Sequence, residues 1–487
     1  MKLNRILPFV PGVKAYAGTE TEVVSIEYDS RKAEKGSLFV ALRGSKSDGH
    51  KYINKASENG ASAVLCEELP AENPFDAYIV VEDSTKAVEA LSAPFYGNPS
   101  DGMTLIGVTG TSGKTTVTTL IKEISESLGK KSGKIGTLGA YVGHEFIPTD
   151  NTTPIAPEMQ RLLRTMADKG AEVVAMECSS HGLVLGRLSG CSFDCGVFTN
   201  IARDHLDFHK TEEAYFEAKM KLFTDFPKSS KKDFTAVVNM DDPKAADVIK
   251  RTAGKVRTFG IENKADYMAE NIEMTVSGAS FDLICSGGTY KTRTKLGGLF
   301  NVYNALTAIA VCVEVLGFAV ADVVSVLSDA APAAGRFESV GSADFGVIVD
   351  YAHTPDELEN VLKSARPLTA GKLIAVFGCG GDRDKGKRPI MGKIVEDNAD
   401  VAVVTSDNPR TEDPEAIIKD ILAGMKSEHF AEVDRYEAIR KALEIARAGD
   451  IVVVAGKGHE DYQIFADRTI HFDDREVVLE ILAETGK

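Results

Sequence analysis

The stretch that most constrains this chain is Gly107-Val108-Thr109-Gly110-Thr111-Ser112-Gly113-Lys114-Thr115-Thr116. An apolar run, Thr104-Leu105-Ile106-Gly107-Val108-Thr109, leads into it. After it, Val117, Leu120, Ile121, Ile124 and Leu128 fall on one helical face. Strand, glycine-rich turn and helix in that order predict a phosphate cradle. Glycines let the backbone close round an anion with its N–H groups inward. The helix N-terminus adds about half a positive charge. Lys114 can reach the β- and γ-phosphates of a nucleotide, and the Thr115 hydroxyl can face Mg²⁺. Gly110, Thr111, Ser112, Gly113 and Thr116 complete the expected cradle. The strict spacing is broken once: Val108 stands where a glycine is usual, and Gly110 lies inside the loop.

The 487 residues around this motif divide into three blocks of ordinary domain size. The first, 1–99, carries short apolar runs at Val23–Ile26, Ser37–Leu42 and Ala61–Leu65, and reads as a small mixed α/β domain. It ends in the turn-forming cluster Tyr96-Gly97-Asn98-Pro99-Ser100-Asp101-Gly102. The second, 100–331, adds Glu172–Glu177 and Ala236–Asn239 to the phosphate-loop strand, with a helical pattern between the first two. That alternation predicts a mainly parallel, doubly wound sheet, and the phosphate loop on it makes a P-loop-type ATPase domain the expectation. The third, 332–487, begins in the small-residue linker Ala331-Pro332-Ala333-Ala334-Gly335. Its runs Phe345–Asp350, Leu373–Gly378, Val401–Thr405 and Ile451–Ala455 are wholly apolar, as strands covered on both faces are. A Rossmann-like, doubly wound domain is expected, with ligands beyond the carboxyl ends of its strands.

Hydrophobic residues make up 43% and charged residues 26% of the chain, which excludes a disordered, collagen-like or rod-like protein. The formal net charge of −16 argues against nonspecific nucleic-acid binding and against an anionic membrane surface. No apolar run reaches the roughly 18 residues of a membrane span, and the N-terminus lacks the pattern of a signal peptide. The seven cysteines are scattered and odd in number, which reads as reduced thiols in a cytoplasmic protein.

Several polar residues follow the apolar runs. Glu177 ends one and opens Cys178-Ser179-Ser180-His181-Gly182; a carboxylate there suits Mg²⁺, or a helix cap. His205, in Thr199–His209, fits a metal ligand and a structural histidine equally. Lys219, read bare, is a solvated helix lysine. Asn301 and Asn304 precede the apolar helical stretch Ala305–Val315; they suit an adenine edge or an N-cap.

Taken together these pieces resemble the Mur ligase family, the ATP-dependent amide-forming enzymes of peptidoglycan precursor synthesis. The matching segments are Thr109–Thr116, Asn151-Thr152-Thr153-Pro154, Glu177–His181, Thr199–Asp207, Asn301–Asn304, Gly335–Glu338, Asp350–Pro355 and Gly380–Arg388, in family order across the whole chain. Asp407-Asn408-Pro409-Arg410 and Gly456-Lys457-Gly458-His459-Glu460 further resemble the members that extend UDP-N-acetylmuramoyl-L-alanyl-D-glutamate, in their meso-diaminopimelate-adding rather than lysine-adding form. The guanidinium of Arg410 matches the extra carboxylate of that amino acid. A charge-assisted bond of about 1.5–3 kcal/mol is one to two decades of discrimination.

The resemblance implies roles by position. Ser30, Ser45, Lys46 and Ser47 would contact the uridine diphosphate. Asn151, Thr152, Thr153, Ser179 and Arg187 would contact the sugar–peptide, although Leu185 stands where relatives carry glutamine. Asn301, Asn304, Arg336 and Asp350 would join the phosphate loop around ATP. Arg383, Asp407, Asn408, Pro409, Arg410, Gly456 and Glu460 would hold meso-diaminopimelate. Lys114, Glu177, His205 and Lys219 would be catalytic. One Mg²⁺ is expected on Thr115 and Glu177, and a second on His205 with Lys219 carried as a carbamate. The expected partners are UDP-N-acetylmuramoyl-dipeptide, ATP and meso-diaminopimelate, on a cytoplasmic monomer that binds neither nucleic acid nor membrane. The reaction implied runs through an acyl phosphate. Rival readings are the same ligation with L-lysine, a folylpolyglutamate-synthase-like amide ligase, a phosphotransferase or motor NTPase, and a non-catalytic nucleotide-binding regulator.

Overall fold

The computed structural model describes every residue except 45–46, 231, 331–332, 342–343 and 487, and the backbone alone of Asp207. Ser45, Lys46 and the linker residues Ala331 and Pro332 therefore lie outside the described residues.

Three sheets dominate. The first has five strands in the order Val13–Ala17, Tyr78–Val81, Ala63–Cys66, Ser37–Val40, Ser25–Glu27. All neighbours are parallel except the first pair. The second has eleven strands. Its parallel centre runs Tyr267–Thr275, Lys255–Gly260, Thr235–Asn239, Cys195–Phe198, Thr104–Thr109, Val173–Glu177, Ser132–Gly136. The phosphate-loop strand thus lies between the strands ending at Phe198 and Glu177. Its Ile106 and Val108 pack against the helices Lys114–Ser127 and Leu299–Glu314. Leu105, on the other face, belongs to a core with Ala156–Asp168 and Glu212–Thr224. Helices on both faces explain why these strands are apolar without alternation.

The sheet is less parallel than the sequence suggests. Gly139–Val142 and Glu145–Ile147 extend one edge antiparallel, and Gly278–Cys285 and Gly288–Thr294 extend the other. At the outer edges Gly288–Thr294 mixes buried with exposed positions and Glu145–Ile147 has no buried residue, because an edge strand meets a core on one face at most.

The third sheet runs Glu338–Ser339, Gly346–Asp350, Ile451–Ala455, Leu373–Phe377, Val401–Thr405, Phe430–Glu432, antiparallel only at its first pair. Separate cores cover its two faces. Neighbouring strands Leu373–Phe377 and Val401–Thr405 release their chains on the same edge. This brings the loop 378–386 beside 406–413, although some two dozen residues of sequence separate them. No described helix is long and apolar enough to cross a membrane.

Candidate active site

The phosphate loop turns on two glycines that no other residue could replace without strain. Gly110 has φ +151° and Gly113 has φ +88°. A Cβ on Gly113 would lie 2.5 Å from Asn304 Oδ1. Val108 is buried inside the strand and paired with Glu177 and Val197, so the turn begins at Gly110, two residues after the glycine of the strict spacing. Asn200, at the end of the adjacent strand, braces the loop. Its carbonyl accepts from Thr111 N at 2.9 Å, and its Oδ1 accepts from Ser112 N at 2.9 Å. Lys114 Nζ bridges the loop by donating to the carbonyls of Gly110 (2.9 Å) and Thr111 (2.7 Å). Burial pushes its ammonium below the ordinary lysine range.

Glu177 ends its strand beside Thr115. Its Oε1 accepts from Thr115 Oγ1 at 2.9 Å and from Thr137 N at 2.9 Å; its Oε2 accepts from Thr137 Oγ1 at 3.1 Å. The carboxylate is buried and faces the cavity rather than capping a helix. A carboxylate and a hydroxyl at the mouth of a phosphate loop form a hard-oxygen donor set that suits Mg²⁺. No group of three or more described His, Cys, Asp or Glu residues could hold a metal by itself. An ion here therefore needs the hydroxyl, phosphate oxygens or water to complete its shell.

Lys219 is the clearest departure from the bare sequence. It is 1% exposed, not solvated. The helix Glu212–Thr224 turns it inward, and Nζ donates to Gly110 O at 2.8 Å and lies 4.3 Å from the Tyr215 ring centroid. Burial pushes its ammonium well below the usual range, and the nearby Lys114 adds like-charge repulsion. His205 has φ +53° and is about half exposed. Its ring lies 5.9 Å from that of Tyr215 and 4.9 Å from that of His181, with Nε2 3.3 Å from Asp204 Oδ2.

Asn301 and Asn304 lie within the helix Leu299–Glu314, whose N-cap is Gly298, so neither is a cap. Asn301 spends its side chain internally, donating to Gly297 O and accepting from Asn304 Nδ2 at 2.8 Å. Asn304 points its oxygen at Gly113. Arg336 covers the Tyr351 ring at 4.9 Å, and its buried Nε has no partner among the described residues. Asp350 accepts from Phe337 N (2.6 Å) and Ala352 N (2.7 Å), and burial pushes its carboxyl up to about 6. It holds the start of the third sheet against the linker, where Phe337 has φ +48°.

A cavity of about 670 Å³ gathers these groups. Its walls include Thr111–Thr116, Thr152, Glu177, Ser179, His205, Lys219, Asn304, Arg336 and Asp350. Gly110 and Asn301 stand behind that wall. Of the remaining sugar–peptide residues, Thr153 is buried and donates to Glu177 O at 2.7 Å while accepting from Ser179 N. Ser179 Oγ caps the helix Ser180–Val184. Arg187 donates to Thr153 O at 2.9 Å, near Tyr28 and Glu158, which bond each other at 3.3 Å across the first and second blocks. Thr152 Oγ1 lies 3.1 Å from Thr137 Oγ1, and Asn151 is half-buried. Ser30 is buried, and Ser47 Oγ lies 3.1 Å from Tyr52 OH; both lie away from the cavity. Leu185 is 44% exposed.

The cluster of the third block is also outside the cavity. Arg410, with φ +52°, donates through Nη1 to Gly381 O at 3.0 Å and Asn408 O at 3.4 Å, and pairs with no carboxylate among the described residues. Gly380 lies between Arg410 and Arg383: a Cβ there would be 2.8 Å from Arg410 Nη1 and 3.7 Å from Arg383 Cγ. Arg383 is exposed. Asn408 is a hub. Its Oδ1 accepts from Lys457 Nζ (3.1 Å) and Ile464 N (3.0 Å), and its Nδ2 donates to Glu460 Oε2 at 2.8 Å. Burial pushes the Asp407 carboxyl up, but Lys457, Arg435 and the Asn408 N–H outweigh it and hold it below the ordinary range. Gly456, with φ +120°, brings the backbone against Asp407 Oδ2, and Pro409 lies against Gly381.

Sequence reasoning gave no role to Thr137, Asn200 or Arg388, although the last two lie inside segments that carry the resemblance. Thr137 follows the strand Ser132–Gly136, whose single large apolar side chain, Ile135, makes no apolar run to announce it. Asn200 and Arg388 act through neighbours remote in sequence.

The chain matches three family descriptions: Mur ligase family, catalytic domain, over residues 22–96; Mur ligase middle domain over 108–312; and Mur ligase, glutamate ligase domain, over 335–458. It is 46% identical to the UDP-N-acetylmuramoyl-L-alanyl-D-glutamate--2,6-diaminopimelate ligase of Clostridium botulinum, over 95% of this chain and 96% of that one. It is 45% identical to the ligase of the same name from Geobacillus kaustophilus over the full length of both. A solved structure of a ligase of that name superposes with a TM-score of 0.70 at 36% identity, covering 100% of this chain and 99% of the other.

Proposed function

The chain belongs to the Mur ligase family, and we propose that it joins meso-2,6-diaminopimelate to UDP-N-acetylmuramoyl-L-alanyl-D-glutamate with conversion of ATP to ADP and phosphate. Residues 1–99 take the UDP-sugar, 100–331 take ATP, and 332–487 take the amino acid. The observation that carries the choice of amino acid is the Arg410 guanidinium. Nη1 is anchored on two carbonyls, and no carboxylate among the described residues pairs with the rest. A ligand carboxylate supplies that partner; L-lysine has one carboxylate fewer to offer.

The first step is attack of the D-glutamyl side-chain carboxylate on the γ-phosphorus, with ADP leaving and an acyl phosphate forming. The amine of meso-diaminopimelate then attacks the acyl carbon, and phosphate departs. Lys114 exchanges its two carbonyl partners for phosphate oxygens and neutralises charge as it develops. The loop N–H groups, held by Asn200, orient the triphosphate. Asn304 and Arg336 line the nucleotide side of the cavity. Thr115 and Glu177 would hold Mg²⁺, which supplies charge neutralisation at the transferring phosphoryl group. Burial lowers the Lys219 ammonium, which favours the free amine that CO₂ requires; a carbamate formed there with loss of one proton would, with His205, hold a second Mg²⁺. Asn408 and Glu460 shape the amino-acid pocket, with Asp407 and Gly456 behind them. Thr152, Ser179 and Arg187 face the approach from the first block.

All seven cysteines are free, which supports a reducing cytoplasmic setting. Every role above falls to one chain, so the working unit proposed is a monomer. The test is phosphate release together with product mass. The UDP-muramoyl-dipeptide and ATP should give a longer peptide with meso-diaminopimelate and little with L-lysine. Phosphate release without either cosubstrate would mark a plain NTPase.

A further inference from the structure

The two loops that carry Arg383 and Arg410 meet directly, Gly381 N donating to Asn408 O at 2.9 Å, and one buried side chain backs them both. Arg388, in the first turn of the helix Lys387–Asn398, is wholly buried. Its Nη2 and Nη1 donate to Glu412 Oε1 and Oε2 at 2.9 and 3.1 Å, a bidentate fork. Nη1 also reaches Asp420 Oδ2 at 2.9 Å, and Nη2 reaches Gly380 O at 3.4 Å. Glu412 sits at the end of the Arg410 loop yet accepts from Asp382 N at 2.6 Å in the Arg383 loop. Asp382 answers by accepting from Thr411 N at 3.2 Å and Thr411 Oγ1 at 2.6 Å. Asp382 and Arg410 both have left-handed backbones, φ +55° and +52°. Such a conformation is unfavourable for a non-glycine residue and persists where its surroundings impose it.

A buried ion pair is by itself weak evidence for stability, since apolar replacements of the same shape are often as stable. The placement of this one is specific. Each loop it joins presents an arginine, and Arg410 itself bonds Gly381 O across the gap. Neither Arg388, Glu412 nor Asp420 lines the nucleotide cavity. We infer that Arg388, acting through Glu412, is a positioning residue that sets the separation of Arg383 and Arg410, and with it the selection of a dicarboxylic amino acid. The inference rests on the assignment of meso-diaminopimelate made above.

Arg388→Lys keeps the charge but loses the fork; Glu412→Gln keeps the shape but loses the charge. Each should raise the KM for meso-diaminopimelate by about tenfold to a hundredfold, the scale of a small misplacement of a binding group. The KM values for ATP and the UDP-dipeptide should stay within about twofold of wild type, because nothing in the fork faces that cavity. If Arg388→Lys does not fold, Glu412→Gln decides. An unchanged KM for meso-diaminopimelate, or a parallel rise for all three substrates, overturns the positioning role. Wild-type enzyme that accepts L-lysine as readily as meso-diaminopimelate overturns the amino-acid assignment instead, and is read before any variant.

Discussion

Replacing Glu177 by glutamine separates the structural from the chemical use of one carboxylate. Glu177 accepts three hydrogen bonds, one from Thr115 and two from Thr137. A glutamine keeps Oε1 and its two donors, Thr115 Oγ1 and Thr137 N. Its amide nitrogen then occupies the Oε2 position and donates to Thr137 Oγ1, whose hydroxyl can turn toward Thr152 Oγ1 at 3.1 Å. The number of bonds is preserved. Three charge-assisted bonds become neutral ones, a loss of roughly 1 kcal/mol each. Against this, a charge no longer has to be buried, which is worth several kcal/mol. The net change should lie within about 1 kcal/mol, or about 2–4 °C in Tm for a domain of this size. Catalysis should fare differently. Losing the carboxylate that accepts from Thr115 should lower kcat by about 10²–10³, the usual cost of removing one stabilising group, and shift the Mg²⁺ titration to higher concentration. The assay is coupled ADP release across a Mg²⁺ series, with thermal melting alongside. An unchanged Mg²⁺ midpoint, or a Tm loss above about 10 °C, would refute the reasoning.

Arg410→Ala should raise the KM for meso-diaminopimelate about 10- to 100-fold and leave that for ATP near wild type; equal rises, read from steady-state kinetics, would remove its specificity role. Lys219→Ala should be nearly inactive, with partial recovery by short carboxylic acids in the same assay. Because the buried Lys219 ammonium is depressed, the unfolded chain binds the extra proton between the native and the ordinary lysine pKa. Its contribution to stability therefore rises with pH through that window, and melting of the alanine variant in bicarbonate-free buffer should lose this component. Gly113→Ala should abolish turnover, since its Cβ would meet Asn304 Oδ1 at 2.5 Å with φ at +88°; wild-type kcat would contradict the loop geometry. Asp474→Asn would leave the buried Arg435 guanidinium without its ion-pair partner, costing roughly 3–5 kcal/mol, or about 6–20 °C in melting of the third block.

Much of the site could be read from order along the chain. A glycine loop between an apolar run and an amphipathic helix announces itself, because strand, turn and helix are local patterns. Glu177 was legible for the same reason, since it ends an apolar run; Asp407–Arg410 was singled out by the family resemblance. Lys219 was not. Its helix neighbours Glu217 and Lys221 suggest a solvated face, and only packing against Tyr215 and Gly110 shows that this position points inward. The asparagines of the helix Leu299–Glu314 were similarly ambiguous until Gly298 proved to be the cap.

The sequence by itself determined the local chemistry: which segments become strands, where an anion can be cradled, and which side chains carry charge beside it. Tertiary structure alone decided which of those segments became neighbours. Thr137 meets Glu177, Asn200 meets Ser112, and Arg388 meets Glu412 because parallel strands bring together loops far apart along the chain. Strand order is set by burial summed over whole helices and sheets, and no short motif carries that sum.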